Sequence, residues 1–131
     1  MVPKILLVED DSDIQKLVRL SLKFRGVQEV VVAEDGEKCL SVVAEVQPDV
    51  ILLDVMLPKM NGYEICRRLK SNPKTKNIPV IFLSARAMDI EVKKGLRLGA
   101  RGYLVKPFDP MSLYDDISEL LGAPAQTAKE V

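Results

Sequence analysis

Histidine is absent from the 131 residues, which removes the commonest general base and the commonest metal ligand from any chemistry this chain performs. Any metal must be held by oxygen. Cysteine is nearly absent: Cys39 and Cys66 are too few and too far apart for a disulfide framework or a CxxC metal site, so both read as packed free thiols. Neither sign of charge is in excess, with 19 basic and 19 acidic residues, and that balance argues against a general grip on nucleic acid or on an anionic membrane. No apolar run approaches the ~20 residues needed to span a bilayer, and the start "MVPKILLVEDD" lacks the basic, apolar, small order of a signal peptide. A cytoplasmic protein with no membrane insertion and no direct nucleic-acid binding is expected. Its length suits one domain with a real core.

What is present is alternation. Short β-branched or apolar runs at Lys4–Val8, Glu29–Ala33, Val50–Leu53, Val80–Leu83 and Gly102–Val105 are each followed by a helical pattern. The first helix carries Ile14, Leu17, Val18 and Leu22 on one stripe, and the last carries Leu113, Ile117, Leu120 and Leu121. Those between them are predicted at Glu37–Val46, Tyr63–Asn72 and Met88–Leu98, with breaks at Gly26, Pro48, Pro73, Pro79, Gly99 and Pro107. Five such units predict an α/β fold: a doubly wound, five-stranded parallel sheet of order 2-1-3-4-5 with five helices. Right-handed crossovers place the first and fifth helices on one face and the other three on the opposite face.

In this order the chain reverses between the first and third strands, and ligands bind beyond the carboxyl ends of strands at such a point. The first strand ends in "VEDD" and the third, in "DVILLDVMLPKMNG", ends on Asp54, so Glu9, Asp10 and Asp54 converge at one edge. Part of "VEDDSDIQ" is explained by helix initiation. Ser12 with Gln15 makes a capping box, Asp11 is an alternative cap, and Asp13 suits the first turn. Glu9 and Asp10 are not needed for capping, and clustered carboxylates cost stability unless a cation compensates. Mg2+ fits best, because it takes one or two carboxylates, keeps several waters and completes its shell with a phosphate oxygen. Ser84 ends the fourth strand and Lys106 the fifth, adding a hydroxyl and an ammonium to a nucleophile and a metal site.

These residues resemble the receiver domain of two-component response regulators from Lys4 to Leu121. The paired acids are Glu9 and Asp10, the acceptor is Asp54 in "LLDVMLPKMNG", the hydroxyl is Ser84 in "LSAR", the switch aromatic is Tyr103, and "KPF" is Lys106, Pro107 and Phe108. The resemblance implies a flavodoxin-like fold and a Mg2+-dependent transfer to Asp54 from the phosphohistidine of a sensor histidine kinase or histidine phosphotransfer protein. It implies Mg2+ held by Asp10, Asp54 and the backbone carbonyl of Met56, with Glu9 acting through water, Lys106 pairing with phosphoryl oxygens and the Lys106–Pro107 bond cis. Such a chain promotes its own phosphorylation and dephosphorylation and has no separate turnover substrate. Ser84 and Tyr103 would carry the change to a surface formed by the fourth helix, fifth strand and fifth helix, met by a downstream target, an output domain or, in a phosphorylation-dependent homodimer, a second copy. The charges of Lys93, Lys94, Arg97 and Arg101 near the fourth helix, and of Asp115, Asp116 and Glu119 on the fifth, lend that surface weak support.

Met56 and Arg86 sit where the family varies the side chains that tune dephosphorylation. "GARGYLVKPF" lacks the acidic pair before the tyrosine that is typical of receivers in winged-helix transcription factors. A haloacid dehalogenase would need a second Asp where Met56 stands, a flavodoxin would find its flavin phosphate repelled by "VEDD", and a degenerate receiver would lack the acceptor or the lysine. The expected layout is a receiver over residues 1–122, with 123–131 as a tail or the start of a linker. The chain is then either a free-standing receiver or a fragment of a larger regulator.

Overall fold

The computed structural model describes residues 4–85 and 89–122, the side chains of 89–92 excepted. Arg86, the expected helix start at Met88 and the tail 123–131 lie outside them. The elements alternate strictly in chain order: β1 (Lys4–Val8), α1 (Ser12–Phe24), β2 (Glu29–Ala33), α2 (Gly36–Val46), β3 (Val50–Asp54), α3 (Gly62–Ser71), β4 (Val80–Ser84), α4 (Asp89–Arg97), β5 (Gly102–Val105) and α5 (Leu113–Gly122). All pairings are parallel and the sheet order is β2-β1-β3-β4-β5, as the alternation predicts. β3 and β4 each run one residue further than expected, so that Asp54 and Ser84 are themselves the last strand residues.

Side-chain alternation splits the core in two, because successive strand residues face opposite sides of the sheet. Leu6, Val8, Ile51, Leu53, Val80 and Phe82 pack with α2 and α3, while Ile5, Leu7, Val50, Leu52, Ile81 and Leu83 pack with α1 and α5. Every residue of β3 and β4 is buried, as expected of central parallel strands. Each fully buried Leu, Ile or Val contributes about 1.5–3 kcal/mol, so the sheet is a stiff mount for whatever projects from its end.

At the head of α1 the expected capping box does not form. Asp11 is the cap: extended at φ −81 and ψ 116, it accepts from the backbone N–H groups of Asp13 and Ile14, and Ser12 is the first helical residue. Gln15 instead turns its Nε2 onto the carbonyl of Glu9 at 2.7 Å, bracing the end of β1. α3 starts just as tightly against the end of β3. Asn61 caps it, and the Gly62 N–H donates to the Val55 carbonyl at 2.9 Å. A Cβ at Gly62 would overlap the backbone carbonyl oxygen of Asp54 and lie 2.9 Å from Val55 Cα. Backbone cannot yield as a flexible side chain can, so Gly62→Ala is expected to cost about 1–3 kcal/mol in a urea melt and to displace Asp54. A variant as stable as wild type would show that α3 slides away freely.

Candidate functional site

The ends of four strands, β1, β3, β4 and β5, build the site. Val8 is registered opposite Leu53, so the next residue on each strand, Glu9 and Asp54, emerge side by side. Both are buried, at 1% and 4% exposure, whereas Asp10 is exposed. One carboxylate oxygen from each of the three lies within 4.8 Å of the others. Asp54 Oδ1 accepts from the Met56 backbone N–H at 3.0 Å, and Glu9 Oε2 accepts from the Asp11 N–H at 3.2 Å. The Met56 side chain points into solvent, 77% exposed.

Lys106 closes the site from β5. The Lys106–Pro107 peptide is cis, and the Lys106 N–H donates to the Ser84 carbonyl at 2.8 Å, tying the ends of β4 and β5. Its Nζ stands 2.7 Å from Glu9 Oε1 and 3.2 Å from Asp54 Oδ2, so one ammonium bridges two buried carboxylates. The contact with Glu9 Oε1 is between charges and is not an aligned hydrogen bond. Burial pushes the Glu9 carboxyl up to about 7; Lys106 opposes that rise and the Asp54 charge adds to it. Burial also works against the Lys106 charge, but the two carboxylates more than offset this and hold its ammonium above the ordinary lysine range.

A single ammonium shared by Glu9 and Asp54, with Asp10 beside them, leaves negative charge in excess. The donors are carboxylate oxygens throughout, and the three groups meet at one point. That set fits a hard divalent cation.

Ser84, 4% exposed, ends β4 beside β3, where the Val55 N–H donates to the Leu83 carbonyl at 3.0 Å. Tyr103 lies on β5 opposite Phe82 and is half-buried. Asp115 pairs with Arg25 of α1 at 2.8 Å, Asp116 accepts from Ser112 Oγ at 3.2 Å, and Lys94 Nζ lies 4.5 Å above the Tyr63 ring. Two residues bearing on the site escaped the sequence analysis, Gly62 and Tyr63, and Gln15 entered it only as part of a capping box. Gly62 alone left a signal, as a glycine just after the strand that carries the nucleophile.

A sequence model described as the response regulator receiver domain matches residues 5–118. The transcriptional regulatory protein AfsQ1 of Streptomyces coelicolor is 45% identical over 106 residues, which are 81% of this chain and 45% of that protein. The DNA-binding dual master transcriptional regulator RpaA of Synechocystis is 38% identical over 120 residues, 92% of this chain and 49% of that protein. The chain thus spans about half the length of the curated relatives it matches. The chemotaxis response regulator CheY4 of Vibrio cholerae superposes with a TM-score of 0.84 at 31% identity, covering 92% of this chain and 99% of that one. No helix among the described residues is long and apolar enough to cross a membrane. A match running almost the whole described length, on this fold, makes the chain a member of the response regulator receiver domain family.

Proposed function

We propose that Asp54 accepts a phosphoryl group from the phosphohistidine of a sensor histidine kinase or a histidine phosphotransfer protein, in a Mg2+-dependent reaction in the cytoplasm. The observation that carries this reading is one buried carboxylate at a central strand end, bridged by Lys106 to a second. An Asp54 carboxylate oxygen forms the bond to phosphorus as the bond from phosphorus to the donor nitrogen breaks, and the departing imidazole takes up a proton. Asp10, Asp54 and the Met56 carbonyl would hold Mg2+, with Glu9 reaching it through water; when bound, the ion offsets the charge of the transferring group. Lys106 starts on the Asp54 carboxylate and follows the negative charge to the phosphoryl oxygens. Ser84 donates its hydroxyl to the same group, and Tyr103 carries that event toward the surface of α4, β5 and α5. A downstream target, an output domain or a second phosphorylated copy reads that surface, and this domain does not itself touch nucleic acid.

The half-length match to curated relatives favours a receiver belonging to a larger regulator, with residues 1–122 as the receiver and 123–131 beginning a linker. Incubation with Mg2+ and phosphoramidate tests the central reading by mass spectrometry. One phosphoryl group is expected, on the peptide containing Asp54, and none when the cation is chelated. Labelling that ignores chelation would refute the metal dependence, and labelling elsewhere would refute the acceptor.

A further inference from the structure

Tyr63, on the first turn of α3, meets Tyr103 of β5 hydroxyl to hydroxyl at 2.8 Å, across forty residues of chain. Phe82 of β4 lies between the two rings, with centroids 5.0 Å from Tyr63 and 5.3 Å from Tyr103. Room for the Tyr103 ring comes from α4. A Cβ at Gly95 would stand 2.8 Å from both Cε1 and Oη of Tyr103 and 3.0 Å from Phe82 Cδ2. Glycine is disfavoured inside a helix relative to alanine, and here it leaves the slot that the ring fills.

We infer that Tyr63 is a positioning residue for the readout: its hydroxyl seats the Tyr103 hydroxyl in the inward place that Gly95 leaves open. The inference rests on the proposed function, in which Tyr103 reports on the phosphoryl group. Its physical basis is differential contact. An inward ring bonds to Tyr63, whereas an outward ring gives its hydroxyl to water, so the Tyr63 hydroxyl favours only the inward state. One neutral hydrogen bond amounts to about a five-fold shift of that equilibrium. Ser84 lies two residues beyond Phe82 on β4, and Phe82 is registered opposite Tyr103, so the seat adjoins the strand end that senses the phosphoryl group.

The protein contains three tyrosines, so ring-labelled tyrosine gives an NMR spectrum simple enough to assign by substitution. Tyr63→Phe keeps the ring and removes only the hydroxyl. In that variant the Tyr103 signal is expected to move toward its solvent-exposed position in the free protein and to return on addition of beryllium fluoride with Mg2+. The apparent affinity for beryllium fluoride should fall about five-fold, because part of the binding energy now goes to drawing the ring inward. Tyr103→Phe tests the same bond from the other side, and the double variant should bind no more weakly than the weaker single one. An unmoved Tyr103 signal, an unchanged affinity, or losses that simply add in the double variant would each overturn the inference. If wild type itself fails to respond to beryllium fluoride, the proposed function falls and takes this inference with it. That failure is recognisable because it does not depend on Tyr63.

Discussion

Asp54→Asn is expected to abolish phosphoryl uptake from small donors while leaving the fold in place. Asparagine matches aspartate in size, and its side-chain oxygen can still accept from the Met56 N–H, which sits 3.0 Å from Oδ1. What disappears is the anionic oxygen that must bond to phosphorus. Removing a covalent nucleophile lowers a rate by on the order of 10³-fold or more. Stability should change little, for two effects of opposite sign meet at the site. Lys106 loses its 3.2 Å contact with Asp54 Oδ2, and Glu9 loses the like charge that helps raise its carboxyl. The free energy of unfolding should therefore stay within about 1 kcal/mol of wild type, so lost labelling cannot be blamed on unfolding. Stable labelling of the Asn variant at the wild-type rate would move the acceptor to another carboxylate. Asp10, exposed beside the site, is the first alternative to map.

The fold was legible because each strand declares itself by a short β-branched run and each break by glycine or proline. The acidic edge was legible because topology alone brings the ends of β1 and β3 together. Choices settled by local geometry or by distant partners were not legible. Asp11 and Ser12 are both good caps, and only the backbone angles at Asp11 decide between them. Gln15, expected to complete a capping box, reaches six residues back to the Glu9 carbonyl. Tyr63 looks like an ordinary apolar position on the buried face of α3, because its hydroxyl partner lies on another element. The strand order also groups three acids at one edge without ranking their burial. Asp10 is exposed, and the desolvation falls on Glu9.

That uneven burial makes Lys106→Met the substitution with the largest expected effect on the metal-free domain. Methionine approximates the length of the lysine stem and deletes only the charge that bridges Glu9 and Asp54. The Glu9 carboxyl, already raised to about 7, then loses Lys106, the stronger of the two groups that hold it down, keeps only the Asp11 N–H, and must climb further. An acid whose pKa is raised on folding stabilises the fold fully below its unfolded value. That contribution is lost as pH rises through the folded value. The variant should therefore be near wild-type stability at about pH 5, where Glu9 can hold a proton, and fall progressively behind toward about pH 8. At the alkaline end two buried carboxylates face each other without a cation, and the deficit should reach about 2–3 kcal/mol. Mg2+ should recover more stability in the variant than in wild type, because the ion supplies the positive charge that is missing. Thermal melts across that range, in chelator and in Mg2+, measure both effects. A deficit that is constant with pH would mean that Lys106 contributes packing rather than charge. A deficit untouched by Mg2+ would mean that the ion does not bind among these carboxylates.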